Sequence, residues 1–200
     1  MSNLIDRYLL FRIRTKRDPE AFAKIYDRYV KALYRFTLLK LPSQEEAQDI
    51  TSETFTKAWK YLQDHQHVTH IRALLYRIAR NLIADFYRSR PVSKGVDIAT
   101  ISVTNDLGIA SQLVELDAEE ISDKDFDDSG REKRVIEARA ELSLILKRLE
   151  RLKEDYRDVV TLRLVDGLAF EDIAQVLEKS PGNVRVIYHR ALKALKEIDT

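Results

Sequence analysis

The chain is 200 residues long, 44% hydrophobic and 34% charged, with a formal net charge of +1 and no cysteine. That suits one domain or two small ones, and it excludes disulfides and cysteine-ligated metals. Five glycines and four prolines leave little room for the turns of a multi-stranded sheet. The apolar spacing is helical almost throughout, so an all-α fold is expected: two small helical domains joined by a long acidic linker, the second a four-helix domain ending in a helix-turn-helix. No run approaches the roughly 18–20 apolar residues of a membrane span. The opening MSNLIDRYLL lacks the order of a secretory signal, which together with the missing cysteines fits a cytoplasmic protein.

Charge is segregated along the chain. Residues 1–91 carry 17 Lys and Arg against 10 Asp and Glu, residues 92–134 carry 5 against 11, and residues 135–200 balance at 12 each. A basic front part suggests a polyanionic partner, and the acidic connector a segment that does not share it.

An amphipathic segment runs from Leu4 to Ile13. Asp18-Pro19-Glu20 then has the form of a helix start, with an acid as N-cap and proline where no N–H is needed. Phe22, Ile25, Tyr26, Tyr29, Val30 and Leu33 follow at helical spacing. Pro42 breaks this helix, and Ser43 with Glu46 forms a capping box for the next. The second helix lines up Ala47, Ile50, Thr54, Phe55, Ala58, Trp59 and Leu62 on one side, and Asp49, Glu53, Lys57 and Lys60 on the other. After the polar loop QDHQHVTH, a third helix runs from about Ile71 to Arg90, with Leu74, Leu75, Ile78, Leu82 and Phe86 as its expected buried stripe. These elements are taken as a domain over residues 1–91.

From Val92 the pattern fades into Ser, Asp, Thr and Gly, and residues 92–134 are expected to be a flexible acidic linker. Helical spacing resumes near Val135, with Leu142, Ile145, Leu149 and Leu152 in one helix and Tyr156, Val159, Val160 and Leu164 in the next, closed at Asp166-Gly167. Two short helices end the chain. The first carries Ile173, Ala174 and Leu177 on one face. Ser180-Pro181 starts the second, which lines up Val184, Tyr188, Ala191 and Leu195 and leaves Asn183, Arg185, His189, Arg190 and Lys193 facing elsewhere. That is a helix-turn-helix whose second helix can enter a DNA major groove.

Enzymatic signals are weak: there is no glycine-rich phosphate loop, no HExxH and no G-x-S-x-G. His65, His67 and His70 are close in sequence, yet no well-spaced carboxylate completes a metal set, and they read as a polar loop. Asp49 and Glu53 share a face beside Lys57 and read as an ion-pairing or partner-docking surface. The third helix says more. Its non-core side is expected to present Tyr76, Arg77, Arg80, Asn81, Tyr87, Arg88 and Arg90, aromatic rings interleaved with guanidinium groups, as suits unpaired bases and their phosphates.

EEAQDITSETFTKAWKYL (45–62), LLYRIARNLIADFYRSR (74–90) and LVDGLAFEDIAQVLEKSPGNVRVIYHRALKAL (164–195) closely resemble the bacterial RNA polymerase sigma factors of the extracytoplasmic-function (ECF) group. The resemblance implies a promoter-recognition subunit without catalytic activity or cofactor, which binds core RNA polymerase and promoter DNA, both duplex and melted, and is a target for an anti-sigma factor. It places Asp49, Glu53, Phe55 and Trp59 on the helix that docks on core polymerase. It places Tyr76, Arg77, Arg80, Asn81, Asp85 and Arg88 on the helix that binds and opens the −10 element. Residues 63–70 match the loop that captures a flipped base, and Asn183, Arg185, His189, Arg190 and Lys193 belong to the −35-binding helix. The family commonly reads G-T-V-K-S-R-L-x-R-A where this chain reads GNVRVIYHRA, so Val186 and Ile187 replace Ser and Arg. Glu178 stands where the turn usually has Gly, at a cost of about 1 kcal/mol if positive φ is needed. A stand-alone helix-turn-helix regulator is the competing reading, although no heptad seam for a dimer is evident.

Overall fold

The structure is a computed structural model, which describes residues 2–64, 68–89, 111, 113–114 and 128–198. The segment 92–127, the bulk of the expected linker, lies outside these residues apart from Ser111, Leu113 and Val114; so do His65, His67 and Arg90. Every regular element among the described residues is helical: α1 (Ser2–Lys16), α2 (Pro19–Leu38), α3 (Gln44–Asp64), α4 (Ile71–Ser89), α5 (Asp128–Glu150), α6 (Glu154–Val160), a π-helical turn (Thr161–Val165), α7 (Phe170–Leu177) and α8 (Pro181–Ile198).

The helix starts read from sequence are built as expected. The Asp18 carboxylate accepts from the Glu20 N–H at 3.0 Å and the Ala21 N–H at 3.2 Å, and Arg12 of α1 donates to the same side chain at 2.7 Å. Ser43 Oγ accepts the Glu46 N–H at 3.2 Å and donates to the Glu46 carboxylate at 2.5 Å. Ser180 Oγ accepts the Asn183 N–H at 3.2 Å. Each cap satisfies an N–H that the first helical turn leaves orphaned.

Helices α2, α3 and α4 pack on one another and α1 lies across α2 and α3. Leu9, Leu10 and Ile13 of α1 are buried, while Leu4, Ile5, Tyr8 and Phe11 on its other side are exposed. The Tyr29 hydroxyl donates to buried Asp6 at 2.5 Å, which ties α1 to α2. Between α2 and α3, Thr37 and Thr51 share a hydrogen bond at 2.9 Å. In the C-terminal group, α6 packs on α8 and α7 on α8. Arg157 reaches back to the carbonyls of Leu149, Glu150 and Leu152, at 3.1, 2.7 and 3.2 Å, and so closes the end of α5.

The two groups do not stand apart. Helix α4 packs directly on α7, and one hydrophobic core runs through α1–α4, Leu113, Leu146, Val159, Leu162, Leu168 and on to Val184 and Ile187. A second, smaller core joins Leu149, Leu152, Val160 and Ala191.

Three details of the sequence reading are corrected. Helix α5 starts at Asp128 rather than near Val135. Leu149 and Leu152 are buried as expected, but before them Ile145 is exposed while Ser143 and Leu146 are buried, so only that part of the stripe is set one residue over. Leu164 is also exposed, at 58%. The π turn takes an extra residue there, with the Asp166 N–H bonding the Thr161 carbonyl at 3.1 Å, and this moves the following side chains off the stripe that an unbroken α-helix would have drawn.

Candidate nucleic-acid interface

Helix α4 is buried on two sides, which no single amphipathic stripe anticipates. Leu74, Leu75, Ala79, Leu82 and Ile83 face the core. Tyr76, expected on the open face, is fully buried and meets Phe36 edge-on, with ring centroids 5.1 Å apart. Tyr87 is buried too, its hydroxyl donating to the Lys40 carbonyl at 2.7 Å. Ile78 and Phe86, expected inside, are only half-buried. The physical reason is a second set of neighbours: α7 packs on α4 as well as α2 and α3, the Tyr76 ring meets Phe36 of α2 and Tyr87 reaches Lys40 just beyond it, and a tyrosine ring is apolar enough to serve there.

What remains outward on α4 is a compact set. Arg77 is half-buried, and Asn81, Asp85 and Arg88 are exposed; their spacings of four, four and three put them on one face. Arg88 pairs with Asp85 at 2.9 Å. Arg80 lies on the flank instead, its Nε 3.3 Å from the carboxylate of Asp158 on α6. Lys40, after α2, meets the other oxygen of the same carboxylate. Burial alone would push the Asp158 carboxyl up, but the charges and hydrogen bonds of Lys40 and Arg80 hold it below the usual carboxylate range.

A second polar contact lies further along α4. The Arg72 guanidinium donates to the backbone carbonyl of Asp166. The Asp166 side chain is buried beside the Tyr76 hydroxyl, and neither side chain reaches hydrogen-bond geometry. Burial pushes the Asp166 carboxyl up to about 7, with Tyr76, Arg35, Arg72 and Lys40 acting in the opposite direction. Burial also raises the Tyr76 hydroxyl well above its ordinary value. At the edge, His70 Nδ1 lies 3.0 Å from Asp172 of α7. Among the described residues, no three His, Asp or Glu side chains converge to hold a metal ion.

The helix-turn-helix presents its set openly. Asn183, Arg185, His189, Arg190 and Lys193 are all exposed on α8. Arg185 pairs with Glu171 of α7 at 2.7 Å and lies over the Phe170 ring, 5.6 Å from its centroid. Helix α8 is seated by Val184, Ala191 and also Ile187. The Ile187 substitution therefore deepens the core, whereas Val186 stays 46% exposed. Glu178 does occupy the left-handed region, at φ 53°, and the following Lys179 N–H bonds the Ala174 carbonyl at 2.9 Å.

On α3, Asp49 and Glu53 are exposed and Glu53 pairs with Lys57 at 3.0 Å. Phe55 is buried against Tyr26 and Phe22, while half-buried Trp59 stacks near Phe22 at 4.9 Å. Phe55 and Trp59 thus support the acidic face from below. Sequence reasoning missed Lys40 and Asp158, and read Asp166 only as the close of its helix. Nothing marks Asp158 in YRDVV, where an acid next to Arg157 has the look of a solvated helix face.

Family models match both groups of helices. The Sigma-70 region 2 family model matches residues 25–91, and the Sigma-70 region 4 model matches residues 142–195. The chain is 30% identical over 183 residues to the ECF RNA polymerase sigma factor SigW of Bacillus subtilis, covering 91% of this chain and 90% of that protein. It is 28% identical over 182 residues to the ECF RNA polymerase sigma factor BldN of Streptomyces coelicolor, covering 90% of this chain but 61% of BldN. The fold is similar to that of CnrH, solved in complex with the cytosolic domain of CnrY, with a TM-score of 0.63 at 21% identity over 97% of this chain and 96% of that one. With region 2 and region 4 in this order, and a SigW relationship that spans nearly both chains, the chain belongs to the ECF RNA polymerase sigma factors, the subunits that direct RNA polymerase to promoters.

Proposed function

We propose that the two exposed arrays divide promoter recognition between them. Residues 1–91 dock on core polymerase and hold the melted −10 strand, residues 92–134 connect, and residues 135–200 hold the −35 duplex. On α4, Arg77, Asn81, Asp85 and Arg88 meet the strand, joined by Arg80 and Tyr76 once these are uncovered. On α8, Arg185, His189 and Arg190 face the groove, with Asn183 and Lys193 beside them. The acidic face of α3, Asp49 and Glu53, meets basic residues of polymerase. The chain is no enzyme in this reading: melting is driven by binding unstacked bases, at a few kcal/mol per flipped base. It works in the cytoplasm, where bacterial polymerase is, and no described helix is long and apolar enough to cross a membrane. An anti-sigma factor is the inhibitory partner that the family implies.

The observation that carries this reading is the pairing of a basic face on α4 with an exposed basic face on α8 in one chain. Run-off transcription with core polymerase on a genomic promoter pool tests it. Asn81→Ala and Arg185→Ala are each expected to lower promoter output; unchanged output in both would remove the site assignments. A footprint by the purified protein without polymerase would favour the stand-alone regulator.

A further inference from the structure

We propose that Val186 reads the 5-methyl group of a thymine in the −35 duplex, which makes the valine standing here in place of serine a specificity determinant. This rests on the reading of α8 as the −35 helix and adds one base contact to it. Three observations carry it. Val186 is 46% exposed, and among the described residues it is the one exposed large apolar side chain on α8. A single exposed apolar residue is ordinary on a protein surface; this one is set apart by its place. Gly182, Val186, His189 and Lys193 follow at spacings of four, three and four, so they form one line along α8. That line runs on the side away from buried Val184, Ile187 and Ala191. Val186 therefore sits at the middle of the outward face, within the first two turns of the helix, the part that reaches base edges in this motif. The third observation is the open space before it. A helical side chain leans over the turn that precedes it, and for Val186 that turn carries Gly182, where even an added Cβ would meet nothing within 4 Å. Arg185, by contrast, is held at the edge of the face by Glu171 and the Phe170 ring.

The chemistry of the major groove decides what an apolar side chain reads there. Base edges present hydrogen-bond donors and acceptors, and thymine alone adds a methyl group. Valine neither donates nor accepts. Set against a ring nitrogen, a carbonyl or an amine, it strips water from a polar edge and returns no hydrogen bond. Set against the thymine methyl, it removes apolar surface from water on both partners. A serine at the same place can bond several bases or a phosphate, and so discriminates less. Val186 exchanges a tolerant contact for a selective one, while Arg190 and Lys193 beside it still offer charge to the phosphates.

The test uses holoenzyme, the full chain assembled with core polymerase, on promoter duplexes recovered from a genomic pool. Each thymine of the −35 region is replaced in turn by deoxyuridine, which pairs alike and lacks only the methyl group. Competition binding is expected to show a thymine at which this exchange weakens the parent about fourfold, the factor that burying one such group corresponds to. Val186→Ser is expected to bind the thymine and deoxyuridine duplexes equally, whereas Arg185→Ala weakens both by the same factor. Because Val186 is outside the core, a circular-dichroism spectrum equal to the parent's is expected of the serine variant. If no exchange matters, or if the fourfold loss persists in Val186→Ser, the thymine contact is overturned; a loss in Arg185→Ala then still upholds the −35 reading of α8. If neither variant changes binding to any duplex, the −35 reading falls and the thymine contact falls with it.

Discussion

Helices α4 and α8 are both basic, both amphipathic and similar in length, yet they meet solvent in opposite ways. On α8 every residue of the proposed DNA array is exposed, and the core contacts lie on one stripe of Val184, Ile187 and Ala191. On α4 the array is divided: Asn81, Asp85 and Arg88 are open, Arg80 is tied to Asp158, and Tyr76 is buried. A helix that reads a preformed duplex needs only to be presented. A helix that reads bases extruded from a duplex carries sticky rings and guanidinium groups, and covering these until they are needed prevents indiscriminate binding to polyanions.

The largest expected break in this contrast comes from removing the buried carboxylate. Asp158→Ala leaves Lys40 and Arg80 facing each other without their counter-ion. The loss is about 3 kcal/mol, the low end for a broken buried pair since Arg80 keeps part of its surface in water. Lys193→Ala on α8 removes an exposed charge and its loose pair with Glu197 at 3.9 Å, and stays within about 0.5 kcal/mol. Urea midpoints of the two variants compare them, and equal losses would show that the helices are held alike.

Titration separates the two buried acids next to α4. Asp166 keeps its proton in the folded chain up to about pH 7 but loses it near its ordinary value when unfolded. The folded state therefore binds more protons, and stability falls as pH rises from about 4 to about 7, by at most about 1.4 kcal/mol per pH unit. Asp158 has the opposite sign. Its carboxyl is held down, so its contribution is present above the ordinary carboxylate range and is lost as pH falls through its lowered value. Unfolding midpoints between pH 4 and 8 should show the decline, and Asp166→Asn should flatten it; a decline that persists in that variant would assign the slope to another group.

For the opposite helix, Arg185→Ala is expected to weaken binding to a −35 duplex by about 1–3 kcal/mol, whereas Asp158→Asn should leave that affinity unchanged, because the α8 array is exposed and Asp158 pairs with Lys40 and Arg80 instead. Fluorescence anisotropy measures this, and a duplex affinity that changes in Asp158→Asn would contradict the division drawn between the helices. The smallest effect is local. Glu178 stands at φ 53°, and Glu178→Gly should relieve roughly 0.5–1 kcal/mol of backbone strain, less than the full left-handed penalty because glycine gains freedom on unfolding. A thermal midpoint that fails to rise would mean that the Glu178 side chain compensates its backbone.

The sequence was most legible where a few neighbouring residues decide the outcome. Asp18, Ser43 and Ser180 cap their helices through bonds two or three residues away, and the strain at Glu178 follows from a turn that demands positive φ. It was least legible where residues far apart in the chain meet. Tyr76 has the polarity of an exposed ring, and its packing against Phe36, 40 residues earlier, decides otherwise. Asp158 gains its meaning from Arg80, 78 residues earlier, and from Lys40, 118 residues earlier; no periodicity carries information over that distance. The exposed array on α8 was legible because the stripe beneath it is complete within one helix.

The π turn at Thr161–Val165 bears on how this chain tolerates change in length. It holds one residue more than an α-helical turn, and each residue advances a helix by about 100°. Deleting a single residue within the turn would restore regular winding and swing Asp166 and its carbonyl out of reach of Arg72. Val184 and Ala191 would keep their places on α8. A shortening that elsewhere on the surface would pass as a silent indel would here undo the contact between α4 and the end of the π turn.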